Sequence, residues 1–138
     1  MKPTQARDYI LNMFNEHWQP LGYQAYYQNI DNTVTVVDEP YCTVSVNNIG
    51  ADRATLTGFN KTSRYRYKGV IHIGLFVPSN TGYDKAYDLG TNILNLYRKP
   101  PNDCEINFSD FSMIEESLKY TNFAKLNLFI NFSYDYFF

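Results

Sequence analysis

The segment KLNLFINFSYDYFF, residues 125–138, alternates apolar and polar side chains over most of its length. Successive side chains of a β-strand point to opposite faces, so the pattern predicts one long strand with one buried and one polar face. The apolar set is Leu126, Leu128, Ile130, Phe132, Tyr134 and Tyr136. The polar set is Lys125, Asn127, Asn131, Ser133 and Asp135.

A second long segment, SRYRYKGVIHIGLFV at 63–77, has the same period. Its apolar face is predicted to carry Ile71, Ile73, Leu75 and Val77, with Tyr65 and Tyr67 in line. YCTVSVNN at 41–48 also alternates, and GAD at 50–52 is typical of a turn. Weaker strands are predicted at 26–30, 53–59, 104–108 and 111–117, with Gly58 as a candidate bulge.

Two amphipathic helices complete the prediction, one over 4–18 and one within 78–101. The apolar side chains recur three and four positions apart in both. They are Ala6, Ile10, Met13, Phe14, His17 and Trp18 in the first helix and Ala86, Leu89, Ile93, Leu96 and Tyr97 in the second. Asn80 or Thr81 is the expected cap of the second helix, and Pro100 and Pro101 stop it.

The order helix, strands, helix, strands predicts an α+β fold over residues 1–138 as a single domain. We expect one mostly antiparallel, mixed β-sheet packed with two main α-helices. The chain has 138 residues, enough to bury a core without disulfide bonds.

Charge and composition exclude several classes of function. A net charge of −2 argues against tight nucleic-acid binding, which depends on neutralising phosphates. No apolar run is long enough to span a membrane, and no secretory signal follows Met1. The two cysteines, Cys42 and Cys104, do not form a disulfide framework, so we expect synthesis in a reducing bacterial cytoplasm.

Catalytic and metal-binding patterns are missing from the sequence. His17 and His72 are the only histidines, and neither has a cysteine at a metal-ligand or dyad spacing. No phosphate-binding glycine loop or nucleophile elbow occurs. The sequence therefore predicts no catalytic, metal or cofactor site, and an enzyme is the disfavoured interpretation.

The stretch Arg64, Tyr65, Arg66, Tyr67 and Lys68 is the candidate interface with a neighbouring subunit or partner. Three interpretations are open: a solvated strand face, a protein interface, and a nucleic-acid-binding strand with stacking tyrosines. The period of two places the tyrosines and the basic residues on opposite faces, so they cannot grip one nucleic-acid strand together.

The chain resembles the bacteriophage tail terminator-like family. The resemblance rests on Arg64-Tyr65-Arg66 followed by Gly69, an apolar strand ending in Phe76-Val77-Pro78, a polar turn with Gly82, and a helix carrying Ala86. The opening helix ARDYILNMFNEHW and the closing strand KLNLFINFSYDY agree with it.

The resemblance implies a virion protein without chemistry. Its copies would form a ring, typically a hexamer, that caps the head-proximal end of the tail tube, ends tube polymerisation and docks to the head–tail connector. Its partners would be itself, tail tube protein and connector or neck proteins, with DNA passing through the lumen. The alternatives are a head-completion or neck protein between portal and tail, and a nucleic-acid-binding module.

Overall fold

The computed structural model describes residues 1–28, 39–55, 64–79, 82–117 and 122–137. The helices are α1 (Pro3–Trp18), continued by a 3-10 turn (Gln19–Leu21), and α2 (Gly82–Arg98). The strands are β1 (Gln24–Tyr27), β2 (Tyr41–Thr55), β3 (Arg64–Pro78), β4 (Asn107–Glu116) and β5 (Phe123–Phe137).

The five strands form one sheet in the order β1-β2-β3-β5-β4. β1 pairs with β2 in parallel, and the other three pairs are antiparallel. The predicted fold class, a mostly antiparallel mixed sheet with two helices, is confirmed. Neither described helix combines the length and apolar character that a bilayer crossing requires.

Both ends of α1 have an identifiable physical cause. Pro3 occupies the first turn, where its missing N–H has no partner to lose. The Lys2 backbone N–H donates to Gln5 Oε1 at 2.8 Å, which satisfies a donor outside the helix. After the 3-10 turn, Gly22 takes the left-handed conformation (φ 78°) and its N–H bonds to the Gln19 carbonyl. The predicted caps of α2, Asn80 and Thr81, lie outside the described residues.

The core lies between the sheet and the two helices. The Tyr97 hydroxyl donates to the Ile10 carbonyl at 3.0 Å, which ties α2 to α1 inside it, and burial raises the pKa of Tyr97. Buried side chains come from alternate positions of the three long strands: Cys42, Val44 and Val46 from β2, Ile71, Ile73, Leu75 and Val77 from β3, and Leu126, Leu128, Ile130, Phe132 and Tyr134 from β5. The two predicted apolar strand faces are therefore confirmed, with Tyr136 half-buried at the end of β5.

The turn predicted at 50–52 is wrong. β2 runs through these residues and stays paired with β3, with Gly50 opposite Lys68 and Asp52 opposite Arg66. The register shifts between Asn48 and Gly50, so one extra residue, Ile49, is accommodated as a bulge. The chain keeps its direction because β3 continues to supply hydrogen-bond partners beyond the bulge.

In place of the two short strands predicted at 104–108 and 111–117 there is one strand, β4, which begins at Asn107 and has a register shift between Ser109 and Ser112. Asp110 lies within that shift at φ 54°, a left-handed conformation that Asp tolerates better than most residues. β1 begins at Gln24, two residues before the strand predicted at 26–30, and ends at Tyr27; residues 29 and 30 lie outside the described residues. Gly58 and most of the segment 31–40 lie outside the described residues.

The three central strands extend past the buried core. Each has 15 residues, a length of about 50 Å, whereas the 16 and 17 residues of α1 and α2 span about 25 Å. The last fully buried positions are Gly69 on β3 and Tyr134 on β5. Residues 50–55, 64–68 and 135–137 form a three-stranded projection, which we call the arm.

Gly69, at the base of the arm, yields a stability prediction. A Cβ built there would lie 2.5 Å from the Asn47 carbonyl oxygen and 2.3 Å from the Phe132 ring. We expect Gly69→Ala to lower the free energy of unfolding by about 1–3 kcal/mol, as other overpacked sites do. Gly50→Ala is the matched control, because no atom lies within 4 Å of its Cβ position. Equal urea midpoints for the two variants would contradict the predicted overpacking.

Candidate protein interface

One face of the sheet packs on the helices; we call the other the open face. The alternation of β3 and β5 assigns Val70, His72 and Phe76 and their partners Asn131, Phe129 and Lys125 to it. Within the described residues, no helix or strand packs on this face, and many of its central side chains are only half-buried, by their neighbours in the sheet. A face this broad is a candidate surface for a partner.

Four aromatic rings meet at the end of the open face farthest from the arm; we call them the aromatic cluster. Tyr41 stacks on Phe76 with ring centroids 4.6 Å apart and planes 6° apart. Phe123 and Tyr26 both meet Tyr41 edge-on, at 5.3 Å and 5.8 Å. The register of four strands brings these rings together, since β1, β2, β3 and β5 each supply one.

A chain of polar contacts connects the centre of the face to the cluster. His72 stacks on Phe129 at 4.8 Å, and its Nε2 lies 2.8 Å from Asn127 Oδ1. Asn127 Nδ2 donates to Glu116 Oε2 at 3.2 Å, so Asn127 Oδ1 must accept from the Nε2–H of His72. Lys125 Nζ then pairs with Glu116 at 3.0 Å and lies 5.2 Å above the Phe76 ring.

These contacts perturb the titration of the acid at the edge of the face. The hydrogen bond from Lys125, and then that from Asn127, lowers the pKa of Glu116 from its usual 4.5. Burial raises the pKa of Tyr41, with a smaller contribution from Tyr26. Both groups therefore keep their ordinary charge at neutral pH, so the cluster end of the face is a fixed arrangement of one ion pair and four rings.

The predicted basic row lies on the open face of the arm. Lys68 Nζ pairs with Asp52 at 3.0 Å, and Arg66 Nε with Asp135 at 3.2 Å. Arg64 Nη1 lies 3.9 Å from the same Asp135. All three cations thus have carboxylate partners on the adjacent strands of their own chain, which leaves one net positive charge.

The two predicted tyrosines lie on the opposite face, as their period implies. Tyr67 stacks on Tyr134 at 5.4 Å with planes 8° apart, and Tyr136 meets it at 6.0 Å. Tyr65 is half-buried opposite Tyr136. These tyrosines therefore extend the core outward, separately from Arg64, Arg66 and Lys68.

Exposed apolar side chains are concentrated on the open face. Four large hydrophobic side chains in the described residues are exposed: Leu21, Ile49, Ile114 and Phe137. Ile114 and Phe137 share the open face by register, opposite Asn127 and Arg64 respectively. Ile49 borders a groove of about 390 Å³ together with Arg66, Lys68 and Ser133. Isolated exposed hydrophobics are common, but three of four on one face indicate a contact surface.

The residues screened for chemistry lie apart or in packing roles. Cys42 is buried on the core face of β2, where burial raises its pKa, whereas His72 lies on the open face of β3. Cys104 hydrogen-bonds with Tyr9, which contributes most to raising the pKa of that tyrosine to about 12. Among the described residues, no three His, Cys, Asp or Glu side chains lie close enough to hold a metal ion.

Sequence reasoning found the basic row but not its partners or the aromatic cluster. Asp135 had been assigned to the polar face of its strand, yet only the pairing of β3 with β5 places it opposite Arg66. Tyr41, Phe76 and Phe123 are far apart in the chain, so no local pattern could bring them together. The only indication of the cluster in the sequence was that aromatic residues stand at the ends of strands.

Comparisons with known proteins give a fold and no family. No protein-family model matches the chain, and no curated protein matches it. A solved structure known only by a sequence identifier matches it with a TM-score of 0.52 and 13% sequence identity. The match covers 93% of this chain and 94% of that chain. At this identity the likeness shows the fold alone.

The Glu116 network predicts a defined dependence of stability on pH. A carboxyl whose pKa is lower in the folded state stabilises the fold above its unfolded pKa, and this contribution is lost as pH falls through the folded value. We expect Glu116→Gln to destabilise the protein at pH 7 but much less at pH 3. The measurement is the urea midpoint of the variant minus that of the wild type, taken once at pH 7 and once at pH 3. An equal loss at both pH values would contradict the stabilising role of the ionised Glu116.

The basic row predicts an effect on self-association. If it contacts a neighbouring copy, Arg66→Glu should shift the mass distribution toward single chains in sedimentation velocity. Lys99→Glu is the matched control, since it reverses one exposed charge beyond the end of α2. Thermal unfolding of both variants separates an association defect from a folding defect. Unchanged association of Arg66→Glu would leave the row as a solvated face.

Proposed function

We propose that this protein is a tail terminator: a ring-forming virion subunit that caps the head-proximal end of a phage tail tube. The ring, with six copies as the expected number, ends tube polymerisation and offers its other side to the head–tail connector. DNA passes through its lumen. The protein performs no reaction in this role, and its partners are its own copies, tail tube protein and connector proteins.

The observation that carries the proposal is the unit formed by β3 and α2, where the sequence resemblance is concentrated. Gly69 lets the Phe132 ring and the Asn47 carbonyl approach the strand, and Pro78 ends β3. Gly82 begins α2 at φ 68°, and Ala86 is buried. Four residues quoted for the resemblance, Gly69, Pro78, Gly82 and Ala86, thus each have a structural reason in β3 or α2, and this supports the resemblance.

The open face supports a role in assembly. It offers aromatic rings, a histidine and asparagines, with few unpaired charges, a composition closer to protein interfaces than to solvated sheets. Tyrosine and phenylalanine give large contact areas while losing little conformational entropy. A subunit whose function is to be bound on several sides needs such a face more than it needs a cleft.

The charge distribution supports a lumen that lets DNA slide. Proteins that hold DNA present unpaired Lys and Arg to phosphates. Here Arg66 and Lys68 are paired with Asp135 and Asp52, and the net charge of the chain is −2. The nucleic-acid-binding interpretation is therefore less favoured than the terminator.

Tube assembly in vitro tests the proposal. We expect the protein, added to polymerising tail tube protein encoded with it, to form rings at one end of each tube and to stop elongation. Electron microscopy gives both the ring and the distribution of tube lengths. Lys99→Glu serves as a folded control that should cap as the wild type does.

Two outcomes would count against the terminator role. A protein that stays a single chain and leaves tube length unchanged would contradict it. Rings that bind portal or connector proteins but not the tube would move the protein to the neck, which was the alternative from sequence.

A further inference from the structure

We draw no further inference here: the strongest candidate, the open face with the aromatic cluster at one end and the arm at the other, carries no proposal, because Arg66, Lys68 and Lys125 are paired with acids of their own chain and nothing in the described part of the structure shows what covers the face.

Discussion

The alternation of side chains along three 15-residue strands is the constraint on which the rest of the structure depends. It commits one side of the sheet to the core, and two helices of about half the strand length are available to cover it. Everything beyond the helices becomes the arm, and everything on the other side becomes the open face. Both surfaces thus follow from the mismatch between long strands and short helices.

The elements with strong periodicity could be predicted from sequence, and those set by backbone hydrogen bonding could not. The helices α1 and α2 follow directly from apolar side chains that recur three and four positions apart. The strands β3 and β5 follow from apolar side chains at every second position. β2 was divided at Gly50 because Gly-Ala-Asp favours a turn, but the pairing with β3 outweighs that local preference and Ile49 is bulged instead. β4 was divided for a similar reason, since the sequence does not show that Asp110 adopts a left-handed conformation within a strand.

Only part of the candidate surface could be predicted from the sequence. The face of Arg64, Arg66 and Lys68 follows from their spacing, but their partners Asp52 and Asp135 follow only from the register between strands. Those partners change the physical meaning of the row. Exposed ion pairs contribute little stability, so the pairs do not hold the arm together strongly; they reduce its charge to a modest positive excess. A row that had resembled a DNA motif becomes a weakly charged surface.

In the proposed role, a weakly charged surface suits a subunit that assembles with its neighbours and lets DNA pass. Strong charges at both ends would speed encounter but would also bind nucleic acid and wrong partners. Here the cations of the arm are paired within the chain, and the rings of Tyr41 and Phe76 with the exposed Ile49 and Phe137 offer apolar area for a contact. Added salt screens contacts between charges but weakens apolar contacts little. An assembly held by these rings and aliphatic groups should therefore persist at ionic strengths that release proteins bound to DNA phosphates.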